Sequence, residues 1–217
     1  AGKTTTFRMV LGMVRPDAGQ VLVRDQEISR LPIYQRARRG IAYLPQEPSV
    51  FRRMSVENNL LAILETLPMK RAERKRRADL LLAELDLERV RKSRAEVLSG
   101  GERRRLEIAR SLTHEPSLLL LDEPFAGVDP ITVQEIQTIL RRLREDKGLA
   151  ILITDHNVRE ALSMTDRSYI IAFGEILAQG TPTALVRDEV VRKTYLGEGF
   201  YIELDAEETG ERPSRTP

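Results

Sequence analysis

LLLLDEP, at residues 118–124, is the most informative stretch of the sequence. Four leucines without polar alternation predict a parallel strand that is buried on both faces. Asp122 and Glu123 follow at its carboxyl end, the edge where open α/β sheets bind ligands. One carboxylate there can hold Mg²⁺ through its water shell, while the other accepts a proton from an attacking water. A solvated strand end is a reasonable alternative for Asp122 alone, but a poor one for the pair.

Strands and helices alternate on both sides of this stretch. LAILITD predicts a second strand buried on both faces, and other strands are predicted at VLV (21–23), GIAYLP (40–45), 168–173 and 175–179. Apolar spacing predicts a helix from Thr4 to Val14, and a second helix with Ile136, Ile139, Leu140 and Leu143 on one face. Asp129-Pro130 caps the second of these, and Thr181-Pro182 begins another. This alternation predicts an α/β domain with a mostly parallel sheet and, between Gln46 and Pro116, an inserted helical subdomain.

Composition excludes several classes of protein. The 217 residues contain no cysteine, which rules out a disulfide framework and a thiolate metal site. The 35 basic and 33 acidic residues nearly cancel, so net charge gives no reason to expect a nucleic-acid partner. The longest apolar runs are far too short to span a bilayer. Six basic residues in KRAERKRR (70–77) could bind nucleic acid or anionic lipid, but the leucines that follow favour the solvated face of a helix.

A second glycine-rich element lies in LSGGERRRLEIARSL, at residues 98–112. Ser99, Gly100 and Gly101 precede a helix, where two glycines let backbone N–H groups approach an anion and the helix dipole adds positive charge. The alternative is an ordinary helix capped by Ser99, with Glu102 completing a capping box.

The sequence begins AGKTTTF. Gly2, Lys3 and Thr4 fit the last three places of the phosphate-binding pattern G-x-x-x-x-G-K-[ST], in which the lysine neutralises phosphate oxygens and the hydroxyl holds Mg²⁺. Alone, the three residues fit a helix N-terminus with a capping hydroxyl equally well. The first glycine of the pattern would lie before residue 1, so this polypeptide as written is expected to bind ATP poorly and to expose a sheet edge.

Taken together, LSGGE, LLLLDEP and AGKTT resemble the ATP-binding-cassette (ABC) ATPases, over the chain to about Phe200. The resemblance implies a P-loop NTPase fold of ABC type, with a mostly parallel sheet core and an inserted helical subdomain. It places a RecA-like core, truncated at its N-terminus, at 1–48 and 117–202. It places the helical signature subdomain at 49–116, and the polar end at 203–217 is expected to be disordered.

The same resemblance assigns site residues, with ATP and Mg²⁺ as cofactors. Glu123 would polarise the attacking water, His156 would steady the γ-phosphate, and Gln46, at the end of YLPQ, would contact both the metal and the water. Asp122 and Thr4 would join Gln46 in holding Mg²⁺. By itself, His156 would be interpreted as a surface histidine at a strand end.

Nucleotide binding would be shared between two chains. Gly2, Lys3, Thr4 and Thr5 would hold the phosphates, and the site would be completed by Ser99, Gly100, Gly101 and Glu102 of a second copy, with Asp129 in the loop between monomers. The resemblance thus implies a homodimer that sandwiches two ATP molecules. It also implies two transmembrane permease subunits that dock near Gln46, and a peripheral position on the cytoplasmic face of the inner membrane.

Longer stretches narrow the resemblance within the family. YLPQEPSVFRRMSVENNL, LDEPFAGVDPITV and ITDHNVREAL resemble the ATPase subunits of Gram-negative lipopolysaccharide exporters, which implies lipopolysaccharide extraction from the inner membrane. The ATPase subunits of branched-chain amino acid importers, which share the late YLG element, are the nearest alternative.

Other classes fit less well. Non-transport ABC-type ATPases of DNA repair or translation carry a long coiled-coil insertion or two cassettes, and neither is visible. A GTPase or nucleotide kinase would give LSGGE no role, and the sequence has no Asn-Lys-x-Asp for guanine. A chain without enzymatic activity stays open as well. No residue can be assigned to adenine stacking, Tyr34 and Tyr43 included.

Overall fold

The structure is a computed structural model that describes residues 2–196. The polar tail expected at 203–217, and the last part of the core expected to extend to residue 202, lie outside the described residues. The chain divides into two compact units, one of Lys3–His156 and one that joins Gly2 to the residues from Asn157 onward.

The larger unit alternates helices and strands. In chain order they are α1 (Lys3–Leu11), β1 (Leu22–Val23), β2 (Gln26–Glu27), α2 (Ile33–Arg38), β3 (Ile41–Leu44), α3 (Val56–Leu64), α4 (Arg71–Glu84), α5 (Gly100–Ser111), β4 (Leu118–Asp122), α6 (Pro130–Lys147) and β5 (Ala150–Thr154), with short 3₁₀ turns at Glu88–Val90 and Ala95–Val97.

A three-stranded parallel sheet forms the centre of this unit, in the order β3-β4-β5. Leu118 is in register with both Ile41 and Ala150, so the carboxyl ends of the three strands meet at one edge. The central strand β4 is buried along nearly its whole length, as its run of leucines predicts. The predicted α/β fold with a parallel sheet is therefore confirmed.

The prediction that β5 is buried on both faces is wrong. Exposure alternates along it, with Ala150 and Leu152 exposed and the side chains between them less so. β5 is the last strand in the order β3-β4-β5 and has a partner strand on one side within the described sheet. A run of apolar residues does not distinguish such a half-covered edge strand from a central one.

Two other predicted elements differ in extent. The first helix ends at Leu11 rather than continuing to Val14, because Gly12 has φ +78°, which a helix cannot contain. A side chain at position 12 would also be too close to Arg36, since a Cβ there would lie 2.7 Å from its Nε. The strand at VLV shortens to β1 and pairs with β2 across a two-residue turn at Arg24 and Asp25, both of which have positive φ. β2 is only two polar residues long, so no apolar pattern predicts it.

The segment between β3 and β4, all of it described, contains helices and turns but no strand. Leu81 and Leu82 of α4 and Leu85 at its end are buried, while most basic residues of KRAERKRR face solvent, which confirms a helix with an exposed basic face. That this face is only solvated stays a prediction. The subdomain boundaries at residues 49 and 116, and those of the core around them, stay a prediction.

The smaller unit is built around an antiparallel hairpin. Its elements are α7 (Val158–Leu162), β6 (Ser168–Ala172), β7 (Glu175–Gly180), α8 (Pro182–Arg187), α9 (Glu189–Val191) and a π-helical turn (Arg192–Leu196). The predicted cap at Thr181 is present, because its hydroxyl accepts a hydrogen bond from the N–H of Ala184. Leu162, Ile170, Leu185 and Val191 form the core. Across residues 2–196, every helix is too short or too polar to cross a membrane.

Candidate functional site

The two carboxylates after β4 occupy different surroundings. Asp122 is only 4% exposed, and its two oxygens accept hydrogen bonds from the hydroxyl of Thr154 at 2.5 Å and from that of Tyr43 at 3.3 Å. Burial, and then the negative charge of Asp122, raises the pKa of Tyr43, which keeps the phenol protonated as a donor. Asp122 is thus held below the strand end by two hydroxyl donors.

Glu123, by contrast, reaches toward solvent and meets two other predicted site residues. Its side chain is 23% exposed, and its Oε2 accepts a hydrogen bond of 2.9 Å from Nε2 of Gln46. Nδ1 of His156 lies 3.4 Å from the same oxygen. A carboxylate held between an amide and an imidazole can accept a proton from a water bound at this edge.

The backbone at Glu123 has an uncommon conformation. Its φ is +46°, in the left-handed region, and its N–H donates a 2.8 Å hydrogen bond to the carbonyl of Thr154 on the neighbouring strand. A non-glycine residue in such a conformation costs on the order of 1–3 kcal/mol, and strained residues of this kind cluster at active sites, although ordinary turns such as that at Arg24 and Asp25 contain them too. The turn directs the Glu123 side chain away from the buried position that Asp122 fills.

Lys3 lies at the same edge of the sheet. It is the first residue of α1, and its Nζ donates a 2.7 Å hydrogen bond to the carbonyl of Asp155, the residue before His156. Thr4 and Thr5 are exposed in the first turn of that helix. Gly2 immediately precedes Lys3 in the chain and has φ +115°, a conformation that favours glycine. The ammonium group therefore has a carbonyl partner that a phosphate oxygen can replace.

The signature segment forms the predicted helix N-terminus. Ser99 accepts from the N–H of Glu102, and Glu102 accepts from the N–H of Ser99, which is a complete capping box. The ordinary capping interpretation is therefore correct for these two side chains. The N–H groups of Gly100 and Gly101 begin a helix of 12 residues, where the dipole favours an anion.

Asp129 caps α6 directly beside this segment. One of its oxygens accepts the N–H of Thr132 at 3.0 Å and the other accepts the Thr132 hydroxyl at 2.6 Å. These hydrogen bonds, the hydroxyl first, lower the pKa of Asp129. A Cβ on Gly101 would lie 2.7 Å from Cγ2 of Thr132, so the two helix N-termini pack in contact.

This contact predicts opposite effects of two adjacent glycine-to-alanine changes. Gly101→Ala should destabilise the protein by roughly 1–3 kcal/mol through overpacking against Thr132. Gly100→Ala, whose Cβ meets nothing within 4 Å, should be neutral or stabilising by up to about 1 kcal/mol. Urea unfolding of the two variants tests this, and equal midpoints would show that Gly101 has no packing requirement.

The structure brings Lys3, Gln46, Glu123 and His156 to one edge of the sheet. Within residues 2–196 it shows no hydrogen bond or ion pair from Ser99, Gly100 or Gly101 to Lys3 or Glu123. The predicted site residues thus form two groups, one at the sheet edge and one in the signature segment.

Sequence reasoning missed several supporting residues. Thr154 stands opposite Asp122 in the register of β4 and β5, so aligning the two predicted parallel strands would have found it. Tyr43 is less direct, because its register partner on β4 is Leu120, two residues before Asp122, so aligning the strands places it only on the same face as Asp122. Arg104, which contacts both site loops, is one of three consecutive arginines, and nothing in the sequence sets it apart.

The donor set at this edge suits a hard divalent cation. Thr4, Gln46 and Asp122 offer a hydroxyl, an amide carbonyl and a carboxylate, which are the oxygen ligands that Mg²⁺ takes alongside water and phosphate. Asp122 accepts two hydrogen bonds, and an ionised carboxylate has about four lone-pair sites, so capacity remains for a metal-bound water. The residues present therefore fit Mg²⁺.

A parallel sheet whose carboxyl edge carries a helix-borne lysine, a paired carboxylate and a histidine is typical of a P-loop ATPase. The family model for ABC transporters matches residues 1–126. The chain belongs to the ABC transporter family, as an ATP-binding subunit with ATPase activity.

Several curated relatives carry the name lipopolysaccharide export system ATP-binding protein LptB, and two of them illustrate the similarity. That of Acidithiobacillus ferridurans is 54% identical over 93% of this chain and 83% of its own length. That of Escherichia coli (strain K12) is 55% identical over 93% of this chain and 84% of its own.

Solved structures agree on the fold. MJ1267, an ATP-binding cassette of an ABC transporter, superposes with a TM-score of 0.81 at 28% identity, over 90% of this chain and 83% of that one. The dimeric post-hydrolysis state of the cassette MJ0796, bound to ADP and Pi, has a TM-score of 0.72 at 24% identity, over 83% of this chain and 80% of that one.

Proposed function

We propose that this protein is the ATP-hydrolysing subunit of a lipopolysaccharide export transporter and works at the cytoplasmic face of the inner membrane of a Gram-negative bacterium. The observation that carries the proposal is the identity of 54–55%, over 93% of the chain, with relatives named for that system. The proposed role is to convert ATP hydrolysis into movement of membrane subunits that extract lipopolysaccharide.

Hydrolysis would use the residues that meet at the sheet edge. Lys3 would exchange the Asp155 carbonyl for phosphate oxygens, which keeps its hydrogen bond and gains charge pairing. Glu123 would accept a proton from the attacking water, with Gln46 orienting that water and His156 contacting the γ-phosphate. Such positioning and charge neutralisation are most of what phosphoryl transfer requires.

Mg²⁺, when bound beside Thr4, Gln46 and Asp122, would supply charge neutralisation at the phosphates. Thr154 and Tyr43 hold the Asp122 carboxylate in place by hydrogen bonds, ready for that task.

The signature segment would serve a second copy of the chain. Ser99, Gly100, Gly101 and Glu102, with Asp129 beside them, form a group with no hydrogen bond to Lys3 or Glu123 in the described chain. A head-to-tail homodimer would bring this group to the partner's ATP, so that two ATP molecules are sandwiched between two chains.

Two permease subunits would dock on the larger unit. A cleft of about 330 Å³ opens beside Ser49, close to Gln46, and its lining includes Ile33, Ile63, Arg110 and His114. Its lining combines apolar side chains with charged ones such as Arg110 and Glu107, which suits a short amphipathic helix from a membrane protein.

Ile33→Arg should weaken the capture of membrane subunits about tenfold, because it places a charge in this cleft. Leu80→Arg is the matched control, since both leucine-sized side chains are exposed, at 44% for Ile33 and 53% for Leu80, but Leu80 lies on α4 and does not line the cleft. The assay is affinity purification from membranes and quantification of the co-purified permeases. Equal capture by both variants would place the docking site elsewhere.

The identity of the transported molecule is tested by the same purification and by complementation of cells that lack their own export ATPase. The co-purified permeases should be those of a lipopolysaccharide exporter, and the gene should restore growth to cells depleted of their own lipopolysaccharide export ATPase. Co-purification of branched-chain amino acid permeases, without restored growth, would replace export with import. Failure to recover any membrane subunit would favour an ABC-type ATPase outside transport.

A further inference from the structure

One buried arginine of α5 contacts the backbone beside both Gln46 and Glu123. Arg104 is 7% exposed, and its Nε donates a 3.1 Å hydrogen bond to the carbonyl of Pro124, the residue after Glu123. Its Nη1 donates to the carbonyl of Pro45, the residue before Gln46, at 3.3 Å. A single planar guanidinium thus bonds to the two loops that carry the proposed water-orienting amide and the proposed base.

Its charge is balanced within the same helix. Nη1 of Arg104 lies 3.0 Å from Oε2 of Glu107, one turn further along α5, and Glu107 is only 4% exposed. A buried ion pair of this kind contributes little net stability compared with well-packed apolar residues, but breaking it by removing one partner is costly. Stability alone therefore gives weak reason for a charged pair at this place.

Glu107 and Arg110, both on α5, hold the other end of the loop that contains Gln46. Oε1 of Glu107 accepts the N–H of Ser49 at 3.0 Å, and Arg110 donates to the Ser49 carbonyl. The loop from Pro45 to Ser49 is therefore attached to α5 at both of its ends. The N-terminus of the same helix is the signature segment that begins at Ser99.

We propose that Arg104, paired with Glu107, is a positioning residue that sets the distance between Gln46 and Glu123 and ties both to the signature helix. The proposal rests on the proposed roles of Gln46 and Glu123 in hydrolysis. Arg104 is far too buried, and too engaged with carbonyl groups, to contact nucleotide itself. It acts through the 2.9 Å hydrogen bond between Gln46 and Glu123, which requires the two loops to stay in register.

The geometry of the guanidinium matters as much as its charge. Its N–H groups form a rigid planar fork, whereas a lysine ammonium is a single point donor on a flexible stem. A lysine at position 104 can pair with Glu107 but cannot hold the Pro45 and Pro124 carbonyls at a fixed separation. A shift of about 1 Å between reacting groups can lower a rate by roughly 10²-fold.

The test uses two variants with different structural costs. Arg104→Lys keeps the buried charge pair and loses the fork, and kcat for ATP should fall about tenfold. The double variant Arg104→Met/Glu107→Leu removes both charges, so no buried ion is left unpaired, and kcat should fall by roughly 10²-fold. In both, KM for ATP should stay within about threefold of the parent, because the Lys3 site is not touched.

Arg77→Lys is the matched control. Arg77 is also largely buried, donates a 2.8 Å hydrogen bond to the carbonyl of Leu112, and pairs with Glu115 at 3.2 Å, but it contacts neither site loop. All rates are taken per ATP-binding site and well below each variant's unfolding temperature. Arg77→Lys should then leave kcat within about twofold of the parent. A kcat loss equal to that of Arg104→Lys would mean that any buried arginine has this effect, and would overturn the proposal.

A double-mutant cycle asks whether Arg104 acts through Glu123. If it does, Arg104→Lys should reduce kcat by less than about threefold once Glu123 is already glutamine, since coupled residues show non-additive effects. A full tenfold further loss would show that Arg104 acts elsewhere, and would overturn the proposal.

The outcomes separate the two levels of inference. If the Arg104 variants hydrolyse ATP at the parental rate while Glu123→Gln is inactive, the positioning role of Arg104 is wrong and the proposed base is retained. Parental turnover of Glu123→Gln itself would remove the base from the mechanism, and this proposal with it.

Discussion

Glu123→Gln should retain ATP binding and lose turnover by roughly 10²–10⁴-fold, the usual contribution of a general base. Glutamine keeps the side-chain length and can still bond to Gln46, which lies 2.9 Å from Glu123 Oε2 in the parent. It cannot accept the proton of the attacking water. Binding should survive because the change leaves Lys3 and the helix N-termini intact.

Single-turnover hydrolysis and equilibrium ATP binding measure the two quantities separately. Glu84→Gln is the matched control, since Glu84 pairs with Lys147 at 2.5 Å on the larger unit and contacts no proposed site residue. It should hydrolyse ATP at the parental rate. Turnover of Glu123→Gln near that rate would remove Glu123 from the role of base.

Lys3→Ala should weaken both ATP binding and kcat/KM, by about 10²–10³-fold, the effect of deleting one preorganised donor at a developing negative charge. Its Nζ now donates to the carbonyl of Asp155 at 2.7 Å, so the ammonium is already held at the sheet edge before nucleotide arrives. Alanine leaves that carbonyl without this donor and the phosphates without this cation.

Isothermal titration with ATP in the presence of Mg²⁺ measures the loss. Lys147→Ala removes an ammonium of the same kind that pairs with Glu84, and should bind ATP as the parent does. If Lys3→Ala bound as tightly as Lys147→Ala, phosphate recognition would have to lie outside the first turn of α1.

The sequence was most informative where one physical requirement dominated. Four leucines and two acids allow β4 few arrangements other than a central strand with a polar end, and Asp129-Pro130 leaves α6 one favourable starting point. The apolar run of β5 was ambiguous, because burial on one face or on two is decided by which elements lie beside it and not by the strand's own residues.

The contacts that support the site were less accessible to sequence reasoning. Arg36 is 1% exposed and donates to the carbonyls of Met9, Val10, Ser29 and Leu31, yet arginines are mostly exposed and nothing around this one indicates burial. Arg104 is a similar case. In both, the partners are backbone carbonyls, which every sequence possesses equally, so the signal exists only after the chain has folded.

The left-handed turn at Glu123 has a consequence for how this protein responds to selection. At φ +46°, glycine or asparagine would fit with less strain than glutamate, so the residue that hydrolysis is proposed to need is not the one that the backbone prefers. Directed evolution for heat resistance alone would therefore favour loss of the acid, and would yield hardier proteins that no longer turn over ATP. Libraries built for thermostability should hold this codon fixed.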